Sequence, residues 1–469
     1  MIIDRVFTPG LAQVAYLVAD EAAGEVAVID PRRDVAEYVA WADARGYRII
    51  AILETHIHAD FVSGAPELSN VTGAPIHASR LGHQAFAHSP LDDGDVVPVG
   101  GLQLRAFFTP GHTPEHMSYL LIDPAQGGEP VALFSGDLLF VGEVGRPDLL
   151  GEDHTRRLAE QLHETISERL APLDDGVVVY PGHTAGSACG RKIGDAPHTT
   201  MGQERLFNYA FRPQSREAFI DAVLKGMPKP PTSYPVLKRV NKAGAAPLAA
   251  LPPPAPLTPI ALAARQESGA LVIDTRGQEA VSAGFIPGAR FAGLGPNFSA
   301  WMGWIAPYDR DLLLVLDDDR DLDTAFTELR RIGLDCVGGY LAGGMAAWRA
   351  SGREVANLPV MTVNELAARH ALPDGDLDIL DVRTAEEWNE GHIAGARHRF
   401  AGEIVQGAEP PIGTEEPVAV ICGTAYRSTV VASELHARGY RNLVNVLGGM
   451  AAWEDANLPV VRETAAVPA

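Results

Sequence analysis

Apolar residues along the chain fall into short runs, and each run is followed by a polar turn. In the N-terminal half these runs lie at residues 25–29, 48–54, 104–108, 131–134 and 177–180. Short runs bounded by turn residues are typical of strands. In the C-terminal half, apolar runs such as 312–316 and 417–421 alternate with helical stretches such as 428–438. That alternation predicts α/β domains with parallel sheets.

The C-terminal half also repeats itself. The residues Gly-Gly-Met-Ala-Ala-Trp at 343–348 recur at 448–453, and Ile-Asp-Thr-Arg at 273–276 corresponds to Leu-Asp-Val-Arg at 380–383. An offset of 105 residues for the first pair indicates a duplicated domain, since solenoid repeats run to ~20–50 residues. Before the first copy, residues 243–264 contain no charged residue and include six prolines, as expected of a semi-rigid linker. We therefore predict domains at 1–242, 260–358 and 361–465, with a linker at 243–259.

Composition narrows the function classes. The chain has 469 residues and a net charge of −22, which disfavours nucleic acid and anionic membranes as partners. Three widely spaced cysteines, Cys189, Cys336 and Cys422, imply no disulfide framework and fit a reducing compartment. The first residues lack the pattern of a signal peptide, and prolines interrupt the longest uncharged stretch, so a cytoplasmic protein without membrane spans is expected.

Metal-ligating residue types occupy the turns of the N-terminal domain. The run Thr55-His56-Ile57-His58-Ala59-Asp60-Phe61 follows the apolar run at 48–54, and His112, Asp137 and His183 follow the next three runs. Turns at the carboxyl ends of neighbouring strands converge, so a metal site is predicted there. Phe61 is the exception in this cluster, because a phenyl ring has no lone pair to donate to a metal.

This arrangement resembles the metallo-β-lactamase superfamily, whose fold is an αββα sandwich, over about residues 1–210. In the two-metal hydrolases of that superfamily, a histidine stands at the position of Phe61 and binds a second metal with the equivalents of Asp60, Asp137 and His183. One metal is therefore the better expectation here. Two imidazoles and one carboxylate form the facial triad that suits Fe(II) and leaves positions open for other ligands.

The sequence is similar to the persulfide dioxygenases of the same superfamily. That resemblance implies one Fe(II) per chain, bound by His56, His112 and Asp137, with His58, Asp60 and His183 in an outer layer. The residues alone do not show whether His56 or His58 contacts the metal.

Two further residues near this site have alternative interpretations. Arg146 anchors a substrate carboxylate, orders its loop or forms an ordinary ion pair. Cys189 lies in a glycine-rich turn beside two cations, where a lowered pKa would let it relay a persulfide; the alternative is a buried, inert thiol. Thr184-Ala185 replaces the Asp-Tyr pair of glutathione-specific relatives, so the identity of the thiol stays open.

The second copy of the repeat carries a reactive cysteine. Cys422 ends a buried strand in Cys422-Gly423-Thr424-Ala425-Tyr426-Arg427, where loop N–H groups and Arg427 would favour a thiolate and then a persulfide. This closely resembles the active-site loop of rhodaneses, and the framework around it matches over about a hundred residues. Counting back from the glycine pair of the first copy reaches Asp317, in a densely anionic loop. The first copy is thus predicted to be inactive, a spacer or docking wall, with subunit assembly as the alternative.

Together these features predict an iron-dependent oxidation of low-molecular-weight thiol persulfides by dioxygen to sulfite. Cys422 would transfer sulfane sulfur, forming or using thiosulfate, in sulfide and persulfide detoxification. Two alternatives remain: a zinc thioester hydrolase of the glyoxalase II type, and a persulfide carrier or sensor without catalysis. The direction of the sulfur transfer and the oligomeric state, a homo-oligomer included, stay open.

Overall fold

The computed structural model describes residues 1–227, 229–372 and 377–462. These residues divide into two units. The first comprises Met1–Leu251 and Leu329–Gly333, and the second comprises Pro252–Glu328 and the described residues from Leu334 onwards.

The first sheet of the first unit has six strands in chain order, antiparallel from β1 to β3 and parallel from β3 to β6. Strands β2 and β3 are nearly continuous apolar runs, and they are buried on both faces. The strands are β1 (Ile2–Thr8), β2 (Gln13–Asp20), β3 (Glu25–Ile29), β4 (Arg48–Leu53), β5 (Ile76–Ser79) and β6 (Ser89–Leu91).

The second sheet also has six strands, in the order β12-β11-β10-β9-β8-β7. All neighbours are antiparallel except β10 and β11, which run parallel. Its strands are β7 (Val96–Val99), β8 (Leu102–Phe108), β9 (Met117–Ile122), β10 (Pro130–Gly136), β11 (Val178–Pro181) and β12 (Thr199–Thr200).

Alternating side chains of β2 show how the layers pack. Val14, Tyr16 and Val18 face the second sheet and share a core with residues of β8 to β10, whereas Ala15 and Leu17 share a core with helices on the outer side. The period of two along a strand produces this division. A third core joins the outer face of the second sheet to its own helices. The predicted αββα sandwich is thus confirmed.

Six α-helices belong to the described part of this unit. The third continues into a π-helical segment, Thr165–Leu170. The helices are α1 (Ala36–Asp43), α2 (Ala65–Thr72), α3 (Glu152–Glu164), α4 (Met201–Phe207), α5 (Arg216–Leu224) and α6 (Tyr234–Ala243).

The second unit contains two five-stranded, all-parallel sheets with the same strand order. The predicted parallel α/β architecture is confirmed in both. The first sheet runs β13 (Ala255–Leu257), β17 (Val337–Leu341), β16 (Leu312–Val315), β14 (Leu271–Asp274) and β15 (Arg290–Phe291). The second runs β18 (Val360–Met361), β22 (Leu443–Val446), β21 (Val418–Ile421), β19 (Asp378–Asp381) and β20 (Arg397–His398).

Helices flank both sheets, and one hydrophobic core includes residues of both copies, from Leu262 to Leu443. The helices are α7 (Pro259–Glu267), α8 (Gln278–Ala283), α9 (Phe298–Ile305), α10 (Leu322–Arg331), α11 (Gly344–Ala350), α12 (Val363–His370), α13 (Ala385–Glu390), α14 (Ala401–Val405), α15 (Tyr426–Ala437) and α16 (Gly449–Asp455).

Matching contacts support the duplication. A buried arginine pairs with the aspartate two residues before it in each copy, Arg276 with Asp274 and Arg383 with Asp381, at 2.7 Å between the nearest atoms. Each guanidinium also donates to a backbone carbonyl eight residues further on. The equivalent sequence motifs therefore perform equivalent structural tasks.

The predicted linker is only partly a linker. Residues Ala255–Leu257 form the edge strand β13, which pairs in parallel with β17. Pro256 is tolerated there because an edge strand leaves one side of its backbone unpaired. The other predicted boundaries stay predictions, and the last one, at 465, lies outside the described residues. Among the described residues, no helix has the length and apolar composition of a membrane span.

Phe291 tests the shared core. It is 1% exposed, and its ring lies 5.3 Å from that of Tyr426 in the other copy. We expect Phe291→Ala to lower the free energy of unfolding by about 3–5 kcal/mol. Denaturant unfolding followed by tryptophan fluorescence measures this, since five of the six tryptophans lie in the second unit. Ile260→Ala is the control, because Ile260 is 70% exposed. Equal losses in the two variants would contradict a shared core.

Candidate metal centre and sulfur-transfer loop

The predicted metal residues converge at one end of the sandwich. The turn after β4 carries His56, His58 and Asp60, and the turns after β8, β10 and β11 carry His112, Asp137 and His183. All six side chains are buried. The turns that follow strands of both sheets thus meet in a single buried cluster of polar side chains.

Three of these residues leave room for a cation. Asp137 Oδ2 lies 3.8 Å from His56 Nε2 and 3.6 Å from His112 Nε2. These three atoms lie within 4.8 Å of one another, and both His56 Nε2 and Asp137 Oδ2 are buried without a hydrogen-bond partner. A buried polar atom without a partner is costly. A metal bound by these three residues would satisfy both atoms.

Hydrogen bonds hold both imidazoles in the tautomer that a metal requires. His112 Nδ1 donates to the carbonyl oxygen of Arg146 at 2.8 Å. The hydroxyl of Thr55 donates to Asp30 Oδ2 at 2.7 Å, so it accepts from His56 Nδ1 at 2.9 Å. Each Nε2 therefore keeps its lone pair.

Protonation states agree with this donor set. Burial lowers the pKa of His112, and burial together with the neighbouring His58 holds the pKa of His56 well below its ordinary value. Metal ligands must be deprotonated, and neutral imidazoles meet that condition.

His183 lies between two carboxylates. Its Nδ1 is 2.8 Å from Asp137 Oδ1 and its Nε2 is 2.7 Å from Asp60 Oδ2. Burial opposes a charge on this ring, but Asp137 and Asp60 outweigh it and hold the pKa of His183 well above its ordinary value. Both ring nitrogens donate, so His183 orients Asp137 and has no lone pair for a metal in this arrangement.

His58 turns away from the triad. Its Nε2 lies 3.2 Å from Asp30 Oδ1, and its ring centre is 4.3 Å from that of Phe61, a residue without solvent exposure. Of the two histidines that the sequence left undistinguished, His56 is therefore the one that faces His112 and Asp137.

Two other groups have metal-ligand residue types within the same distance limit, Asp60-His183-Cys189 and Asp30-Glu54-His58. His183 is occupied through both nitrogens, as described. In the other group, Asp30 accepts from Thr55 through both oxygens, and Glu54 accepts from Ser63. Among the described residues, the triad alone thus combines open lone pairs with neutral imidazoles.

The contacts of Arg146 favour a role in ordering its loop. Its guanidinium pairs with Asp148 at 2.7 Å and donates to the carbonyl of Ala188 at 3.2 Å. Its backbone N–H donates to the carbonyl of Cys189. The preceding residue, Gly145, packs directly against the backbone of Asp137. A Cβ at this position would lie 1.7 Å from the carbonyl oxygen of Asp137, so only glycine fits.

Of the two interpretations of Cys189, the structure favours the buried, unreactive thiol. Burial, together with the charges of Asp60 and Asp137, raises the pKa of this thiol well above its ordinary value. The nearby cation Arg191 does not offset this, since it binds the carbonyls of Ala222 and Lys225. The structure therefore favours a protonated Cys189.

Helix α6 and Asp30 belong to the site but were missed by the sequence analysis. Asn241 of α6 donates to the carbonyls of His58 and Phe61, at 2.8 and 2.7 Å, and accepts from the N–H of Ser63. Nothing in the sequence of α6 marks it as part of a site. Asp30 had a signal, because it directly follows the buried strand β3 beside β4.

The loop that carries Cys422 begins at the end of a buried strand. Cys422 follows β21 directly and is fully buried, with Sγ 3.6 Å from Ser428 Oγ. Ala425 adopts a positive φ of 76° immediately before α15, so the loop curls over the helix N-terminus. Arg427 pairs with Glu387 at 2.5 and 2.6 Å and interacts with the Cys422 side chain, which leaves only part of its charge for the sulfur.

The residue that corresponds to Cys422 in the first copy is Leu316, not Asp317. Val315 pairs with Asp274 as Ile421 pairs with Asp381, so the next residues, Leu316 and Cys422, are equivalent. The copies differ by one residue between this position and the glycine pair, so counting back from that pair gave the wrong residue. The prediction that this position holds no nucleophile is unaffected, and Asp317 remains in the anionic loop.

Comparison with known proteins agrees with this fold. Residues 8–183 match the family model of the metallo-beta-lactamase superfamily, and residues 362–456 match that of the rhodanese-like domain. A metallo-beta-lactamase from Staphylococcus aureus subsp. aureus COL is 32% identical, with a TM-score of 0.65, over 73% of this chain and 98% of that structure.

Two curated relatives align with part of the chain. Persulfide dioxygenase ETHE1, mitochondrial, of Bos taurus is 30% identical over 39% of this chain and 68% of the relative. Hydroxyacylglutathione hydrolase of Polaromonas sp. (strain JS666 / ATCC BAA-500) is 34% identical over 39% of this chain and 66% of the relative. The chain thus spans about two thirds of each.

These findings define a metallo-hydrolase-fold enzyme with an added rhodanese-like domain. The chain belongs to the metallo-β-lactamase superfamily and carries a C-terminal rhodanese-like domain.

Thr55 tests the hydrogen-bonded support of the triad. Thr55→Val removes the acceptor of His56 Nδ1, and we expect metal affinity to fall about 10–100-fold, as measured by competition with a chelator. Thr113→Val is a matched control, since Thr113 adjoins His112 and its buried hydroxyl has no hydrogen-bond partner. Equal affinities in the two variants would show that Thr55 does not orient His56.

Proposed function

We propose that this protein oxidises low-molecular-weight thiol persulfides with dioxygen at a single Fe(II), and that Cys422 transfers sulfane sulfur to or from the product. One observation carries the proposal: a triad of two histidines and one aspartate lies beside Phe61, in the same chain as a rhodanese-type cysteine loop. The similarity to persulfide dioxygenase ETHE1 supports it.

The proposed reaction consumes one persulfide, one dioxygen and one water, and it yields a thiol, sulfite and two protons (RSSH + O2 + H2O → RSH + SO3²⁻ + 2H⁺). The terminal sulfur is oxidised and dioxygen is reduced. Fe(II), bound by two histidines and a carboxylate, would supply open positions for sulfur and dioxygen and exchange electrons between them, which zinc does not do.

The protein's own residues would then hold and shield this chemistry. His56, His112 and Asp137 would bind the iron, and His183 would keep Asp137 oriented through its 2.8 Å hydrogen bond. Thr55 and Asp30 orient His56, while the buried phenyl ring of Phe61, packed against His58, would offer no ligand to a second metal. The surrounding layer of His58, Asp60 and His183 would manage protons.

Cys422 would carry the sulfane sulfur as a persulfide. Transfer to sulfite breaks the Cys422 S–S bond and forms the S–S bond of thiosulfate (Cys–SS⁻ + SO3²⁻ → Cys–S⁻ + S2O3²⁻). The N-terminus of α15 and Arg427 favour the anionic sulfur at each stage. The reverse transfer, from thiosulfate to a thiol, uses the same groups and would supply persulfide to the iron.

A zinc thioester hydrolase is the second candidate, because hydroxyacylglutathione hydrolase is as similar as the dioxygenase. Such an enzyme would hold two metals around a hydroxide. Phe61 removes a ligand of the second metal, and both nitrogens of His183 are hydrogen-bonded to carboxylates. These two features favour the dioxygenase.

Asp137→Ala tests the oxidation. Because this change removes the only carboxylate of the triad, we expect the loss of bound iron and of oxygen uptake with small thiol persulfides, recorded with an oxygen electrode. Asp153→Ala, on the exposed first turn of α3, is the control and should keep both. Oxygen uptake by metal-free Asp137→Ala protein would contradict the proposal, as would wild-type protein that hydrolyses thioesters without consuming oxygen.

Cys422→Ser tests the coupling of the two sites. The serine hydroxyl cannot carry a sulfane sulfur, so oxygen uptake should persist while the product shifts from thiosulfate to sulfite. Chromatography of the two anions after turnover measures the ratio. A ratio identical to that of the wild type would remove Cys422 from the pathway.

A further inference from the structure

Helix α6 packs against the loop that carries the triad histidine. Asn241 binds the carbonyls on either side of Asp60, and Tyr234, seven residues earlier, is buried at 5% exposure. Lys238 lies between them at helical spacing, so the three residues share one face of α6. That face points towards the metal site.

Lys238 brings to this face a buried amine whose Nζ has no hydrogen-bond partner among the described residues. The carboxylate of Glu115 interacts with it electrostatically, and it in turn interacts with His112 of the triad. Glu115 is already engaged, since it accepts from the N–H of Ile57 at 3.1 Å. An ammonium buried without an ion partner is costly, and an incoming anion would remove that cost.

Tyr234 adds a neutral donor to the same place. Its hydroxyl interacts with the side chain of Cys189 and lies near Asp60 and Arg146. Burial raises the pKa of Tyr234 well above its ordinary value, so the phenol keeps its proton. A hydroxyl donor and an ammonium on one helix face suit a singly charged sulfur anion.

We propose that Lys238 and Tyr234 form the subsite for the anionic terminal sulfur of the substrate, the perthiolate R–S–S⁻, next to His112 and Cys189. This inference rests on the proposed function and adds its specificity. A persulfide is more acidic than the corresponding thiol, so it presents this charge at neutral pH. A thioester carries no charge at its reacting group, so Lys238 would not strengthen its binding.

Sulfite serves as the probe, because it is a sulfur anion that binds without turnover. Calorimetric titration under nitrogen of iron-loaded protein should show affinity about 10–100-fold weaker in Lys238→Met than in the wild type. Lys238→Arg, which keeps the charge, should restore most of it. In turnover, Lys238→Met should raise KM for the persulfide by a similar factor and change kcat less. Arg239→Met, on the exposed side of α6, should change neither quantity.

Unchanged sulfite affinity in Lys238→Met protein, with iron content and unfolding midpoint preserved, would overturn the subsite. The subsite would also be overturned if Lys238→Met left the sulfite affinity unchanged and altered only the rate at which Cys189 is alkylated. Lys238 would then affect the reactivity of that thiol and not the binding of the anion. Failure of the proposed function gives a different result: sulfite binding that depends on Lys238, in wild-type protein that takes up no oxygen with persulfides.

Discussion

The metal site depends on how the carboxylate of Asp137 is shared. One oxygen binds His183 at 2.8 Å, and the other faces His56 and His112 without a partner. His183 is itself held by Asp60, so one imidazole bridges two buried carboxylates and leaves Asp137 Oδ2 facing the two triad histidines. The same buried hydrogen bonds that make the cluster tolerable in an apolar interior also determine which atoms remain for a metal.

Phe61 completes this arrangement because its side chain has no atom that can bind a metal. Its ring has no solvent exposure and contacts His58, which turns instead to Asp30. Asp30 and Thr55 then support His56 from behind. In the second unit, one hydrophobic core contains residues of both copies. The second copy has Cys422 at the end of its strand, and the first copy has Leu316 at the equivalent position.

Local patterns predicted much of this molecule. The strands, the metal cluster, the Cys422 loop and the duplication each have a signal within a few neighbouring residues. Features that depend on distant partners were not predictable in this way. His56 and His58 alternate along one turn, and only contacts with Asp30 and Thr55 separate them. Arg191 is near Cys189 in sequence but binds the end of α5 instead, so burial decides the thiol pKa.

We propose that Phe61 limits the site to one metal ion. The most direct test is the number of metal ions bound per chain after loading with excess iron or zinc and removal of the free ion, measured by elemental analysis for wild-type and Phe61→His protein. We predict one equivalent for the wild type and a second, weaker equivalent in the variant. Two tightly bound metal ions per wild-type chain would contradict this role of Phe61.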